Sequence, residues 1–383
     1  MTSQKVCIIG GSLTGLVTAI ALSKLNCSID LITDNTSKNI KNNRTIAISE
    51  NNLNFLKKLN ISENLNNEVW PCSVMKLYSG SKSEKFSEIF DLNKDKEQKK
   101  IFYMIRNEKL SKMMNSKIKK ISSISSKNFG KISEINNKGI LKSVKFNNIY
   151  FKYNLIIICT GYNSSLVKNL FNNQEIKSSY KETSLTSIFQ HNKTKNNIAR
   201  QIFFNNEILA LLPISKTETS VVLSLKENSN KKLSEFMMKN KIKDYAKNFY
   251  GKISFKNKIG YNKANFLLRH QYYKERILLF GDALHVIHPF AGQGFNMILR
   301  DLACLENILA KKINLGLDLG TSDILEEFSN TIKPNNFIFS IGTDLLKNSL
   351  SNQKIRDGML SAANKSKFAK SIFFNIADSG LKF

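Results

Sequence analysis

Residues 280–301, FGDALHVIHPFAGQGFNMILRD, hold two carboxylates, two imidazoles, a proline and a glycine-rich turn within one stretch. Gly281-Asp282 closes an apolar run, Arg276–Phe280, that predicts a buried strand. About ten residues on, Ala291-Gly292-Gln293-Gly294-Phe295-Asn296 opens a helical pattern over Met297–Ala310. Small residues at a loop-to-helix junction let backbone N–H groups approach a ligand, and the helix N-terminus favours negative charge there. Asp282 supplies a carboxylate that accepts from a polyol hydroxyl. A turn that needed glycine only for tightness would not also carry the Gly-Asp pair upstream.

A second glycine motif sits near the start. The apolar run Val6–Ile9 leads into Gly10-Gly11-Ser12-Leu13-Thr14-Gly15, then a predicted helix Leu16–Leu25 and a strand Ile29–Ile32 ending in Thr33-Asp34. This is the strand–turn–helix–strand setting in which a dinucleotide fingerprint has meaning. Ser12 replaces the middle glycine, where the backbone must pass closest to a pyrophosphate. Asp34 stands one residue beyond the strand end at which a ribose-binding acid is expected.

The two motifs together resemble the flavin-dependent aromatic hydroxylases. The wording H-P-x-A-G-Q-G-x-N, with Asp301 after it, is similar to their ubiquinone-biosynthesis branch. Arg44, in Asn43–Ser49, matches the segment that sets an arginine beside the flavin. Arg106 stands where a polar side chain reaches back to the cofactor. The resemblance covers nearly the whole chain. It implies a class A flavoprotein monooxygenase: reduced FAD reacts with dioxygen to a C4a-hydroperoxide and delivers one oxygen to an electron-rich ring. The implied cofactor contacts are Gly10, Gly11, Ser12, Gly15, Asp34, Arg44, Arg106, Gly281, Asp282, Gly292, Gln293, Gly294 and Asn296. His288 and Pro289 are the candidate catalytic residues, shaping the loop that faces the flavin, and no side chain stands out as a general base. The implied substrate is a polyprenylated phenol, with dioxygen as co-substrate. An aromatic-acid hydroxylase, a prenyl reductase and a non-catalytic subunit of a ubiquinone-biosynthesis complex remain alternatives.

The family's Asp-Gly motif after the strand Leu155–Cys159 here reads Thr160-Gly161, with Asn163 at the arginine position. That departure leaves the electron donor open between NAD(P)H and a ferredoxin-type protein.

These residues need a scaffold that interleaves two domains. The expected fold is α/β, with a Rossmann-type FAD-binding domain (1–75, 101–165 and 265–320), an antiparallel substrate sheet (76–100 and 166–264) and C-terminal helices (321–383). Residues 118–153 alternate in short runs that predict antiparallel strands. Ile208–Ile214 (ILALLPI) reads as the apolar centre of the substrate sheet. In the tail, Phe337, Phe339, Ile341, Leu345 and Leu346 form a stripe expected to be core.

The hydrophobic share of 42% in 383 residues is enough for a sizeable core. Five cysteines, at 7, 27, 72, 159 and 304, show no C-x-x-C pair or metal spacing, which predicts a reducing compartment. The first strand begins near residue 5, and no apolar run approaches the roughly 20 residues of a membrane span. The expectation is a cytoplasmic protein, peripheral at the inner face of the membrane. The charge of +28 comes almost wholly from lysine, with only seven arginines among 58 basic residues, and it is spread without interleaved aromatics. Nucleic-acid binding is therefore disfavoured, while an anionic membrane face stays compatible.

Overall fold

Val6–Ile9 and Leu155–Ile158 are uninterrupted apolar runs, which suits strands covered on both faces. Both pair in parallel at the centre of a six-stranded sheet. Its order is Tyr273–Lys274, Ile277–Leu279, Leu155–Ile158, Gln4–Ile9, Cys27–Ile32 and Ile124–Lys127, parallel throughout except for the first pair. Ile124–Lys127 thus corrects the antiparallel expectation for 118–153. It joins the parallel sheet, and only Glu134–Lys138, Leu141–Phe146 and Ile149–Tyr153 form an antiparallel unit. The computed structural model describes residues 4–33, 43–80, 86–94, 97, 99–128, 132, 134–146, 149–171, 175–227, 234–289, 292–350 and 352–380.

Helices Leu13–Leu22, Asn107–Ile118 and Gly294–Asn314 share the main core with this sheet. All ten residues of Leu13–Leu22 are buried, so the helix begins three residues earlier than the apolar spacing alone predicted. A small sheet, Thr45–Ile48, Phe102–Arg106 and Trp70–Cys72, sets Arg44 at its margin.

The second large sheet has nine strands and is mostly antiparallel. It runs from His285–Val286 through Gly260–Arg269, Glu175–Gln190, Glu218–Lys226, Glu207–Pro213, Ile198–Phe203 and Val74–Gly80 to Phe86–Asn93, with the ninth, Ser254–Phe255, paired to the end of Glu175–Gln190. Its alternation separates two environments. Leu209 and Leu211 pack in a core with helix Glu235–Tyr250, whereas Ile208, Ala210 and Leu212 face a cavity on the other side. Because His285–Val286 pairs with Gly260–Arg269, the segment after Gly281-Asp282 is a strand of this sheet.

Helices Ser322–Leu350, Gln353–Lys365 and Lys367–Ser379 complete the molecule. The expected core stripe, carried entirely on Ser322–Leu350, divides between buried and exposed positions. Phe339 is 5% exposed and Leu346 packs partly buried, but Phe337 and Leu345 are 43% and 61% exposed. A stripe of that width serves both a core and an open face.

Candidate functional site

Gly10 ends the first strand at φ +134°, and its N–H donates to the Ile32 carbonyl at 2.9 Å. A Cβ on Gly15 would lie 1.8 Å from the Gly10 carbonyl oxygen, so the helix is pressed against the turn and only glycine fits. Ser12 is the N-cap of Leu13–Leu22, yet its side chain makes no capping hydrogen bond among the described residues. Gly11, Ser12, Leu13 and Thr14 instead line the cavity with an open helix N-terminus.

The second motif lands directly on the first. At Gly281 (φ +64°) a Cβ would sit 2.4 Å from Thr14 Cγ2. The neighbouring Asp282 lines the cavity and is exposed to its open space. Desolvation by the cavity walls around it raises its pKa, and the charges of His285 and Arg44 act against that rise. Arg44 also lines the cavity and donates through Nη2 to Asn262 of the nine-stranded sheet. Gln293 caps Gly294–Asn314, again without a side-chain cap bond among the described residues. Gly292, Gln293 and Gly294 line the same cavity. Two uncapped helix N-termini therefore converge on one space. Nearby, Gln293 Oε1 and Thr45 Oγ1 are buried acceptors without a protein partner among the described residues.

His288 is 2% exposed, borders the cavity, and holds Glu182 Oε2 2.9 Å from its Nε2. Lys347 Nζ binds the other carboxylate oxygen at 2.8 Å. Burial alone would raise the Glu182 pKa, but the hydrogen bonds and charges of His288 and Lys347 outweigh it and hold it down at about 2. A carboxylate that stays ionised can only accept, so Nε2 carries the hydrogen. Glu182 reaches this place through an irregularity between Ser179 and Thr183, with Lys181 at φ +50°. The Tyr180 ring meets the His288 imidazole edge-on at 4.6 Å. His285 is likewise fixed, its Nε2 2.8 Å from Asp301 Oδ2, which also accepts from Asn336 Nδ2 at 2.9 Å. Pro289 is exposed at the cavity wall, and its carbonyl accepts from the Gly292 N–H at 3.2 Å.

Two residues expected at the cofactor have their side chains engaged elsewhere in the protein. Asn296 is 1% exposed and spent inside the protein: its Oδ1 accepts from Ser49 N and Asn52 Nδ2, each at 3.0 Å, and its Nδ2 donates to the Ala47 carbonyl at 2.9 Å. It positions the helix against Thr45–Ile48 and does not line the cavity. Arg106 turns away to pair with Glu218 Oε2 at 2.5 Å, since that carboxylate offers a charge partner across the domain boundary. Asp34 lies outside the described residues. Thr160 and Asn163 are not among the residues lining the cavity, and Asn163 Oδ1 accepts from Lys177 Nζ at 3.3 Å.

A polar wall escaped the sequence reading. Asn107, Glu108, Ser111, Asn115 and Ser116 line the cavity from one face of Asn107–Ile118, with its C-cap Lys119, opposite the buried Leu110, Met114 and Ile118. Its signal was present as polar residues recurring at helical spacing. The whole cavity holds about 1670 Å³. It passes from these polar groups to an apolar arm formed by Ile208, Ala210, Leu212, Leu346, Leu350 and Leu360. Small-ligand pockets occupy roughly 300–1,000 Å³, so this one has room for a dinucleotide and a second molecule.

The FAD binding domain family model matches residues 3–318. The chain belongs to this family. This FAD-binding protein is similar to the mitochondrial ubiquinone biosynthesis monooxygenase COQ6 of Xenopus tropicalis, 29% identical over 235 residues, 50% of this chain and 49% of that one. Against the ubiquinone hydroxylase UbiL of Rhodospirillum rubrum the identity is 27% over 176 residues, covering 45% and 41%. The chain spans about half the length or less of these curated relatives. Its fold matches p-nitrophenol 4-monooxygenase PnpA from Pseudomonas putida, with a TM-score of 0.79 at 14% identity over 97% and 96% of the chains. Klebsiella pneumoniae HpxO complexed with FAD and uric acid gives 0.78 at 12% identity over 98% and 96%. The residues present fit FAD: two open helix N-termini suit its anionic groups, and the unpartnered Gln293 and Thr45 oxygens suit its donors.

Proposed function

We propose that this chain is an FAD-dependent monooxygenase that hydroxylates the aromatic ring of a polyprenylated phenol in ubiquinone biosynthesis, working as a peripheral protein at a membrane. The observation that carries this reading is the continuity of one cavity from the paired glycine motifs to an apolar arm. Bound FAD would supply the redox chemistry that activates dioxygen.

The protein's own residues do the rest. N–H groups at Gly11–Thr14 would bind the pyrophosphate, and Asp282 would accept from a ribityl hydroxyl. The helix N-terminus at Gln293-Gly294 would stabilise negative charge on the pyrimidine edge of the ring system. Arg44, tied to Asn262, would hold positive charge between cofactor and substrate sheet. His288, fixed by Glu182, and Pro289 shape the wall beside the ring without serving as a general base. The apolar arm would take the prenyl tail and exclude water from the reacting end. Curated relatives named as ubiquinone monooxygenases and hydroxylases support the substrate class.

The test is an ¹⁸O₂ experiment with FAD-loaded protein, a chemical or enzymatic reductant and a prenylated phenol. One labelled oxygen in the product is the expected outcome. A chain that takes up no FAD, or that takes it up and labels no phenol, would overturn the proposal.

A further inference from the structure

Two helices that line the cavity through Leu360, Phe373 and Ile376 also leave large apolar side chains exposed. Gln353–Lys365 leaves Ile355 and Met359 50% and 48% exposed; Lys367–Ser379 leaves Phe368 and Ile372 76% and 41% exposed. Each pair is spaced four residues apart, one turn of a helix. Exposed apolar residues also occur elsewhere, among them Ile149-Tyr150, Phe236-Met237 and Phe337-Ile338. The same two helices carry Lys354, Lys365, Lys367 and Lys370. Their acidic residues are engaged within the protein: Asp357 accepts from Arg356 and Ser79, and Asp378 accepts from Asn51. Leu360 and Phe373 of these helices line the cavity, and Phe373 is also 36% exposed.

We propose that these two helices are a bilayer-docking face for anionic phospholipid, with the cavity mouth at Phe373 turned toward the acyl layer. At 13 residues each they are about 20 Å long. No helix among the described residues is long and apolar enough to cross a membrane, so insertion would be in the plane of the interface. Apolar side chains would enter the headgroup boundary while the lysines meet the negative surface. The proposal rests on the prenylated-substrate reading, and it gives that substrate a route that avoids water.

Vesicle flotation tests it. The holoprotein should float with phosphatidylcholine vesicles containing phosphatidylglycerol and much less with phosphatidylcholine alone, and salt should weaken the binding. Phe368→Ser with Ile372→Ser, and separately Lys365→Glu with Lys367→Glu, should each lower binding at least tenfold. Lys252→Glu with Lys256→Glu, outside these helices, should not. FAD uptake and turnover of a short-tailed, water-soluble phenol should stay unchanged in all variants, while turnover of a long-tailed phenol held in vesicles falls in the first two. No flotation of the wild type on anionic vesicles, or flotation undiminished by both helix variants, would overturn the docking face. Absence of short-tailed turnover in the wild type would instead count against the enzyme reading.

Discussion

At the residue scale, glycines that look alike in the sequence do different work. Gly281 has a left-handed backbone and would place a Cβ 2.4 Å from Thr14 Cγ2, so it sets how closely one motif packs on the other. Gly294 lines the cavity, and a Cβ there meets nothing within 4 Å. Gly281→Ala should therefore lower the melting temperature and weaken FAD together, because an alanine in the left-handed region alone costs roughly 1–2 kcal/mol. Gly294→Ala should leave the melting temperature of the apoprotein equal or higher, by the helix preference of alanine, about 1 kcal/mol, and still weaken FAD. Calorimetry beside FAD titration checks both, and unchanged FAD affinity in Gly294→Ala would remove the cofactor from that helix end. Asp282→Ala should weaken FAD by about 0.5–1.5 kcal/mol, or more if the bond is charge-assisted, and full affinity would place the ribityl chain elsewhere.

At the element scale, the 16-residue strand Glu175–Gln190 is interrupted where Tyr180 and Glu182 turn toward the loop and the C-terminal helix. Lys347, Glu182 and His288 then join three elements that are remote in sequence. The depressed Glu182 pKa fixes the sign of a pH effect: its stabilisation is complete above the ordinary value of 4.5 and is lost as pH falls toward 2. Removing one partner of a buried pair commonly costs about 3–5 kcal/mol. Glu182→Gln should thus be clearly less stable than wild type near neutral pH, with the gap closing in acid. Urea unfolding at several pH values checks this, and a gap independent of pH would mean that Glu182 stabilises nothing by its charge. The strands, the two glycine turns and the C-terminal helices were legible in the sequence because period and turn chemistry are local properties. The Glu182 clamp was not, because an irregularity in strand pairing leaves no periodic trace. Asn296 and Arg106 were read as ligands for a related reason: residue type was visible, but which partner each side chain would find depended on Ser49, Asn52 and Glu218 arriving from elsewhere.

At the scale of the whole molecule, charge and shape bear on how electrons and substrate reach the cavity. The chain carries 58 basic against 30 acidic residues, a net charge of +28. Such a surface attracts an acidic protein partner and speeds its encounter at low salt. The Asp-Gly and arginine that the resemblance associates with pyridine-nucleotide contact are replaced by Thr160-Gly161 and Asn163, and neither Thr160 nor Asn163 lines the cavity. We therefore predict slow reduction of the bound flavin by NADPH, even with a phenol present, and faster reduction by a ferredoxin-type donor whose rate falls as salt rises. Anaerobic stopped-flow spectroscopy of the holoprotein with each donor measures both rates directly. Rapid reduction by NADPH would refute this donor assignment while leaving the cavity argument intact. The apolar arm makes a separate demand on the same assay. Ile208, Leu212, Leu346 and Leu350 offer a tail burial worth about 0.8 kcal/mol for each buried CH₂, so a phenol with one or two prenyl units should show a KM at least tenfold below that of a tailless benzoate. Equal kcat/KM for the two would mean that the arm is not where the substrate's tail lies.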